Sequence, residues 1–245
     1  MNVYRFLDMN KIVLTLFLFI MVFVDVSAQA PQHVDAVKFK QLIASVDAIL
    51  LDVRTPQEYS GGHIAGSTAI DISDPAFVSK INLLQKDKTI LIYCLSGSRS
   101  YVAANYMSGH GFKKIYNLQR GLMDWNQYDF ALEQSSQTVA STATKYTGQS
   151  FDKLLKDNKV VLVDFHAVWC APCKAMNPIL EKVSANFKGK ARVEKVDVEA
   201  NKEITAAYQV QSVPGFLIFK DGKKVWSHNG TISYDELSGV LKKFM

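Results

Sequence analysis

The three cysteines of this 245-residue chain are the residues whose spacing points most directly to chemistry. Cys170 and Cys173 form a Cys-x-x-Cys pair, whereas Cys94 stands far from both in the sequence. A Cys-x-x-Cys pair at the start of a helix is a redox motif: the first thiolate attacks a disulfide and the second thiol resolves the mixed disulfide. Because an odd number of cysteines cannot all pair internally, catalytic use explains them better than a structural disulfide framework.

Cys94 follows an apolar run and opens a loop of small residues, Cys-Leu-Ser-Gly-Ser-Arg-Ser at 94–100, before a predicted helix. The backbone N–H groups of such a loop can turn inward and, with the helix N-terminus, form a cradle for an anion. A thiolate at its centre has a lowered pKa and is nucleophilic near neutral pH. Gly97, Arg99 and Ser100 are the supporting residues, and Arg99 adds a permanent positive charge. The alternative, a buried inert thiol, does not account for this loop.

The dithiol lies in the run Trp-Cys-Ala-Pro-Cys-Lys at 169–174, which follows a predicted strand and enters a predicted helix. This position predicts that Cys170 is exposed and that the helix dipole favours its thiolate. Zinc binding is the rival interpretation, but a structural zinc site needs four ligands. The remaining cysteine belongs to the first site, and His166 lies within a predicted strand. We therefore expect a redox disulfide between Cys170 and Cys173, with no metal and no cofactor.

Two blocks of alternating strands and helices must position these cysteines. The strand candidates are at 48–53, 89–93, 114–118, 160–165 and 215–219, and the first two are near-continuous apolar runs. The helix candidates are at 100–108, 174–187 and 235–244. Near-continuous apolar strands alternating with helices predict an open α/β sheet in each block. The polar run at 133–144 is predicted to be a flexible linker that holds the two sites at roughly millimolar effective concentration.

The first block resembles a single rhodanese domain. The motifs that carry the resemblance stand in the family's order: Asp52-Val53-Arg54, Glu58-Tyr59, Gly-His-Ile-Ala-Gly-Ser at 62–67, and Gly-Leu-Met-Asp-Trp at 121–125. The resemblance implies sulfane-sulfur transfer. Cys94 would attack a donor such as thiosulfate, hold the sulfur as a persulfide and pass it to a thiol acceptor.

Loop length favours sulfur over phosphate chemistry, because Arg99 lies one position closer to Cys94 than in the related cysteine phosphatases. One departure from the rhodanese pattern is Leu95, which stands where many members have a basic residue. An apolar residue there predicts weak thiosulfate binding, so that the physiological donor or acceptor is a different compound. His63 is given a structural role, since transfer through a low-pKa thiolate requires no general base.

The second block resembles thioredoxin over residues 146–245. The resemblance rests on the dithiol run with Trp169 and on four further features, namely Val163-Asp164-Phe165, Pro178, Val213-Pro214 and Phe-Lys-Asp-Gly at 219–222. It implies that Asp164 is a buried carboxyl handling the proton of Cys173, with Lys195 as its partner. It also implies that Pro214 is cis and shapes the substrate groove. Ala171, His166 and Gly215 depart from the usual residues, which affects redox potential and partner choice rather than the chemistry itself.

The N-terminus has the layout of a cleavable secretory signal. Arg5 and Lys11 precede an apolar run at 12–24, and small residues follow at 26–28. The run is short for a membrane span, which needs about 20 residues. We expect an exported protein, periplasmic or secreted and soluble after cleavage, although Met9 is an alternative start and an uncleaved anchor is the rival interpretation.

The sequence thus predicts a two-domain α/β protein, with an N-terminal rhodanese-like open parallel α/β sheet and a C-terminal thioredoxin-like α/β/α sandwich. The predicted bounds are 1–28 for the signal peptide, 32–132 for the first domain, 133–145 for the linker and 146–245 for the second domain. A formal net charge of +5 without clustering gives no reason to expect nucleic acid as a partner.

The leading functional hypothesis couples the two sites in one exported sulfurtransferase and thiol–disulfide oxidoreductase. Cys170 would take the sulfur from Cys94, and Cys173 would release it as sulfide. The expected partners are a sulfane-sulfur donor, a thiol acceptor, protein disulfide substrates and an external electron donor, which by analogy lies in a membrane. One alternative is a periplasmic disulfide reductase whose rhodanese-like domain only binds partners. Another is a chaperone or binding module, which the intact nucleophile motifs disfavour.

Overall fold

The computed structural model describes residues 30–134 and 143–245, so the predicted signal peptide and most of the predicted linker lie outside the described residues. Across the described ranges, every helix is too short or too polar to cross a membrane. Each range contains one β-sheet, and the two sheets are separate.

The N-terminal domain is built on a parallel sheet with the strand order β1-β5-β4-β2-β3. Its strands are β1 (Gln32–Val34), β2 (Ala48–Asp52), β3 (Thr68–Ala69), β4 (Thr89–Tyr93) and β5 (Lys114–Leu118). Its helices are α1 (Ala36–Ser45), α2 (Pro56–Gly61), α3 (Phe77–Ile81), α4 (Ser98–Gly109) and α5 (Gly121–Gln127). The predicted open parallel sheet is confirmed.

Helices cover both faces of this sheet, which explains why β2 and β4 are apolar at successive positions. Ile90 and Ile92 face α3 and α4, in one buried cluster. Leu91 and Tyr93 face α1 and α5, in another. The register pairs Leu51 with both Ile92 and Thr68, so the residues that follow β2, β3 and β4 emerge at the same sheet edge. This edge carries Cys94.

The C-terminal domain is built on a mixed sheet with the strand order β7-β6-β8-β9, in which β6 and β7 are parallel. Its strands are β6 (Val160–His166), β7 (Arg192–Asp197), β8 (Gly215–Lys220) and β9 (Lys223–Asn229). Its helices are α6 (Gly148–Asp157), α7 (Ala171–Asn186), α8 (Lys202–Ala207) and α9 (Tyr234–Lys242). Helices α7 and α9 pack on one face and α6 and α8 on the other, which gives the predicted α/β/α sandwich.

The largest apolar cluster of the described residues runs from one domain into the other. It contains Ile81 and Leu84 of the N-terminal domain together with Trp169 and Val213 of the C-terminal domain. The two domains are therefore packed against each other, and Cys94, Cys170 and Cys173 all belong to this cluster.

Candidate active site

Cys94 lies at the centre of the predicted cradle. The backbone N–H of Gly97 donates to its Sγ at 3.1 Å, and the hydroxyl of Ser100 lies 3.5 Å from the same sulfur. Burial alone would raise the pKa of the fully buried Cys94 thiol. Hydrogen bonds from the Ser100 side chain and from the backbone of Ser100, Ser96 and Gly97 more than offset this effect, so the pKa lies below its usual range.

The loop has this shape because two glycines allow backbone segments to approach closely. Gly97, which precedes α4, has φ 93°, and a Cβ there would lie 1.8 Å from the carbonyl oxygen of Gln119. Gly121 has φ 56°, and its Cβ would lie 2.3 Å from the carbonyl oxygen of Cys94. That oxygen accepts the N–H of Leu122 at 2.9 Å. Residues 119–123 thus pack against the backbone of the cysteine loop. The two segments are distant in the sequence, so residue spacing alone does not reveal this contact.

The Arg99 guanidinium is directed to Glu58 rather than to the Cys94 sulfur. Its two terminal nitrogens donate to the two carboxylate oxygens at 2.8 and 2.6 Å. This bidentate hydrogen bond lowers the pKa of Glu58 to about 2. The charge that the sequence assigned to the cradle is therefore compensated by Glu58, and the hydrogen-bond donors to the sulfur are the Ser100 hydroxyl and backbone N–H groups of the loop.

The other motifs of the first block contact one another at the sheet edge that carries Cys94. The side chain of Arg54 donates to both oxygens of Asp52 at 2.6–3.0 Å and to the carbonyl of Gly62 at 2.7 Å. His63 stacks on Tyr59 with ring centroids 3.8 Å apart, and its Nδ1 lies 3.0 Å from the Tyr59 carbonyl oxygen. These contacts fit the structural role predicted for His63.

The second site lies at the N-terminus of α7. A disulfide joins Cys170 and Cys173, and the backbone N–H of Cys173 donates to Cys170 Sγ at 3.2 Å. The indole N–H of Trp169 donates to Glu199 at 2.8 Å. The predicted cis peptide before Pro214 is present.

Cys170 is not exposed, which corrects the sequence-based expectation. Its exposed fraction is 1 % and that of Cys173 is 3 %. The N-terminal domain covers this end of α7: the backbone N–H of Ala171 donates to the hydroxyl of Thr68 at 3.2 Å. The expectation failed because it considered the second domain alone.

Two family models match the chain, and their ranges correspond to the two domains. The model described as a rhodanese-like domain matches residues 35–128, and the thioredoxin model matches residues 142–243. Thioredoxin from Staphylococcus aureus (strain Mu50 / ATCC 700699) is 41% identical over 101 residues, which cover 41% of this chain and 96% of that protein. The chain belongs to the thioredoxin family. Its N-terminal half adds a rhodanese-like domain to the thioredoxin domain.

Two further thioredoxins show the extent of the similarity. Chloroplastic thioredoxin Y from Oryza sativa subsp. japonica is 44% identical over 101 residues, which cover 41% of this chain and only 60% of that protein. Among solved structures, Plasmodium falciparum thioredoxin is 32% identical, with 42% of this chain and 100% of that chain covered and a TM-score of 0.38.

Asp164 is the buried carboxyl that the thioredoxin resemblance implies. It is fully buried on β6, and neither carboxylate oxygen has a hydrogen-bond partner among the described residues. Burial raises its pKa to about 7, opposed by the charge of Lys195. Lys195 is paired with Asp164 in the β6–β7 register, but its Nζ donates to Asn177 at 2.7 Å. Lys195 therefore acts on Asp164 through its charge alone.

Replacing Asp164 by asparagine should remove a pH dependence from the stability of the oxidised thioredoxin domain. Its pKa is about 7 when folded against an ordinary value of 3.8, so the folded state binds the extra proton between these values. The wild-type domain should thus lose roughly 4 kcal/mol of stability as pH rises from 3.8 to about 7, and about 3 kcal/mol of this loss falls between pH 5 and pH 8. Urea titrations at pH 5 and pH 8 measure the change in the free energy of unfolding. Hydrogen exchange of the β6 amides then assigns the change to this domain.

The matched control for this experiment is the exposed Asp152 in α6. The Asp152→Asn variant should keep the wild-type pH dependence. If the Asp164→Asn domain loses as much stability as the wild type between the two pH values, Asp164 does not carry the raised pKa.

Proposed function

We propose that the chain is an exported sulfurtransferase and thiol–disulfide oxidoreductase. Cys94 forms a persulfide from a sulfane-sulfur donor, and the Cys170–Cys173 dithiol reduces that persulfide or other disulfides. The observation that carries the proposal is the hydrogen bond between Ala171 and Thr68, because it places the start of the dithiol helix on the domain that contains Cys94. The dithiol is thereby available as the thiol acceptor within the same chain.

The proposed reaction has three steps. The Cys94 thiolate attacks the sulfane sulfur of the donor, whose sulfur–sulfur bond breaks, and the rest of the donor leaves with the bonding electron pair. The Cys170 thiolate then attacks the terminal sulfur of the persulfide and frees the Cys94 thiolate. Finally Cys173 attacks Cys170, which expels the sulfur as sulfide and forms the disulfide. An external electron donor, by analogy in the membrane, returns two electrons to the dithiol.

The surface beside Cys94 supports a donor or acceptor other than thiosulfate. Leu95 is 45% exposed, and Met123, whose N–H donates to the Leu95 carbonyl, is 55% exposed. These two side chains give the loop an apolar rim. A small dianion gains nothing from such a rim, whereas a persulfide or thiol attached to an apolar group can pack on it.

Sulfide release from thiosulfate in the presence of a reductant tests the coupling. The Cys170→Ser variant should release sulfide well below the wild-type rate, and mass spectrometry should still find one added sulfur atom, about 32 Da, on Cys94. Cys94→Ser should abolish both signals. Equal rates for wild type and Cys170→Ser would reject the coupling, and a thiosulfate KM in the low micromolar range would reject the preference for another donor.

Export is part of the proposal and rests on the pattern of residues 1–28. N-terminal sequencing of protein recovered from outside the cytoplasm should find a chain that starts near Gln29. Recovered protein that still begins at Met1 or Met9 would contradict cleavage.

A second candidate is a disulfide reductase in which the rhodanese-like domain only binds partners. The complete burial of Cys94 favours it, since a donor must reach that sulfur. Under this alternative Cys94→Ser changes no activity, and insulin is reduced without any sulfur transfer to thiol acceptors.

A further inference from the structure

The rhodanese-like domain places a backbone carbonyl in the groove of the thioredoxin domain. Val213, the residue before Pro214, donates its N–H to the carbonyl oxygen of Leu83 at 2.9 Å. Leu83 lies just after α3 in the other domain, and its side chain packs against the cluster shared by the two domains. A main-chain hydrogen bond of this kind is how an extended peptide docks on an exposed backbone edge, because it does not depend on the peptide's sequence. Leu83 thus takes the place of such a peptide.

A second contact covers the start of the dithiol helix. The first N–H groups of a helix have no partner within the helix. In α7 the N–H of Ala171, between the two cysteines, is satisfied by the hydroxyl of the fully buried Thr68. Thr68 therefore lies beside Cys170, whose exposed fraction is 1%.

Polar contacts fix the two borders of the interface. On one border, Lys80 Nζ lies 3.4 Å from one carboxylate oxygen of Glu199, whose other oxygen accepts the indole N–H of Trp169 at 2.8 Å. On the other border, the Gln85 side chain donates to the Asn229 carbonyl at 3.4 Å.

Gln85 also packs closely on Gly230. A Cβ at Gly230 would meet the Gln85 side-chain amide at 2.6 Å. We name the set of Thr68, Lys80, Leu83 and Gln85 the docking face.

From these contacts we infer that the rhodanese-like domain is the built-in occupant of the thioredoxin peptide groove, and that its docking face shields the dithiol from disulfides of other proteins. Trp169 is only 8% exposed and Cys170 only 1%, as this occupancy requires. A foreign protein disulfide must displace the docking face, whereas Cys94 belongs to the same buried cluster as Cys170 and Cys173. The inference rests on the dithiol chemistry of the proposed function and not on persulfide formation at Cys94.

The alkylation rate of Cys170 in the reduced full-length chain tests the inference. The Leu83→Asp variant places a charge against the groove, which should cost at least about 1.4 kcal/mol and raise the undocked fraction about tenfold. Alkylation of Cys170 by iodoacetamide, quantified by peptide mass spectrometry, should accelerate by the same factor. Reduction of insulin disulfides should accelerate with it.

The matched control is Val78→Asp, since Val78 lies on α3, the helix that precedes Leu83, but is 44% exposed. This variant should alkylate at the wild-type rate. Lys80→Glu, which opposes Glu199 with a like charge, should behave as Leu83→Asp does and replaces it if that variant does not fold. If neither Leu83→Asp nor Lys80→Glu accelerates alkylation while the chain is folded, the inference is wrong.

Hydrogen exchange gives an independent reading. The Val213 amide should be protected in the wild type and lose protection in Leu83→Asp, while the amides of β6 remain protected in both. A rapidly exchanging Val213 amide in the wild type would overturn the inference. Failure of Cys94 to accept sulfur would reject the proposed sulfur transfer but leave these results unchanged, so the two failures can be told apart.

Discussion

Replacing Gly97 by alanine should slow persulfide formation on Cys94 by at least about 100-fold. The added Cβ would lie 1.8 Å from the Gln119 carbonyl oxygen, and the neighbour is backbone, which cannot swing away. The loop must therefore move. It then loses the N–H of Gly97 that donates to the Cys94 sulfur and disturbs the hydroxyl of Ser100, which also donates to the Gly97 carbonyl. Without these donors the pKa of Cys94 should rise, because burial is no longer offset.

Mass spectrometry of sulfur loading, together with the pH dependence of Cys94 alkylation, measures both effects. Gly109→Ala is the matched control, since Gly109 ends the same helix and a Cβ there would meet no atom within 4 Å. It should leave the loading rate and the Cys94 pKa unchanged. A Gly97→Ala chain that loads sulfur at the wild-type rate would show that the cradle does not activate the thiol.

Replacing Asp52 by alanine should destabilise the rhodanese-like domain by about 3–5 kcal/mol. Asp52 is fully buried and Arg54 is 5% exposed, so removing the carboxylate leaves a guanidinium buried without its counter-charge. The remaining hydrogen bond to the Gly62 carbonyl does not neutralise it. Urea unfolding measures the loss in the free energy of unfolding. Hydrogen exchange of the β2 and β4 amides then assigns the loss to the rhodanese-like domain.

The control for this variant is Asp47→Ala, which removes a carboxylate that pairs with Lys88 at the protein surface. Asp47 is 80% exposed, so water replaces the lost partner and the stability should remain close to that of the wild type. If Asp52→Ala unfolds at the same urea concentration as Asp47→Ala, then Arg54 is hydrated or rearranged in the variant. In that case the buried Asp52–Arg54 pair does not stabilise this edge of the sheet.

Much of the fold could be predicted because its central strands are mostly apolar. The predicted bounds of β4 and β5 agree with the structure. By contrast, β1 and β3 have three and two residues, too few for any periodicity, and both were missed. The start of α7 was placed at Lys174 rather than Ala171, although proline in a first turn is compatible with a helix.

The candidate site shows the same division between local and distant information. The contacts of Cys94 with Gly97 and Ser100 join neighbours in the sequence, so a local pattern can contain them. The pairing of Arg99 with Glu58 joins the start of α4 to α2, residues 41 positions apart in the sequence, which no local pattern contains. The burial of Cys170 depends on another domain, and the sequence holds no local signal for that contact.

Both ends of the connection between the domains are fastened. Glu133 exchanges two backbone hydrogen bonds with His63, and Tyr146 donates its N–H to Asn201 at 2.6 Å. The backbone between Glu133 and Tyr146 can span at most roughly 45 Å. A released thioredoxin domain therefore diffuses only within that radius and meets its own partner again before any other. Diluting the protein should leave the fraction of molecules with docked domains unchanged. This is expected when the two domains are covalently linked, whereas a bimolecular complex dissociates on dilution.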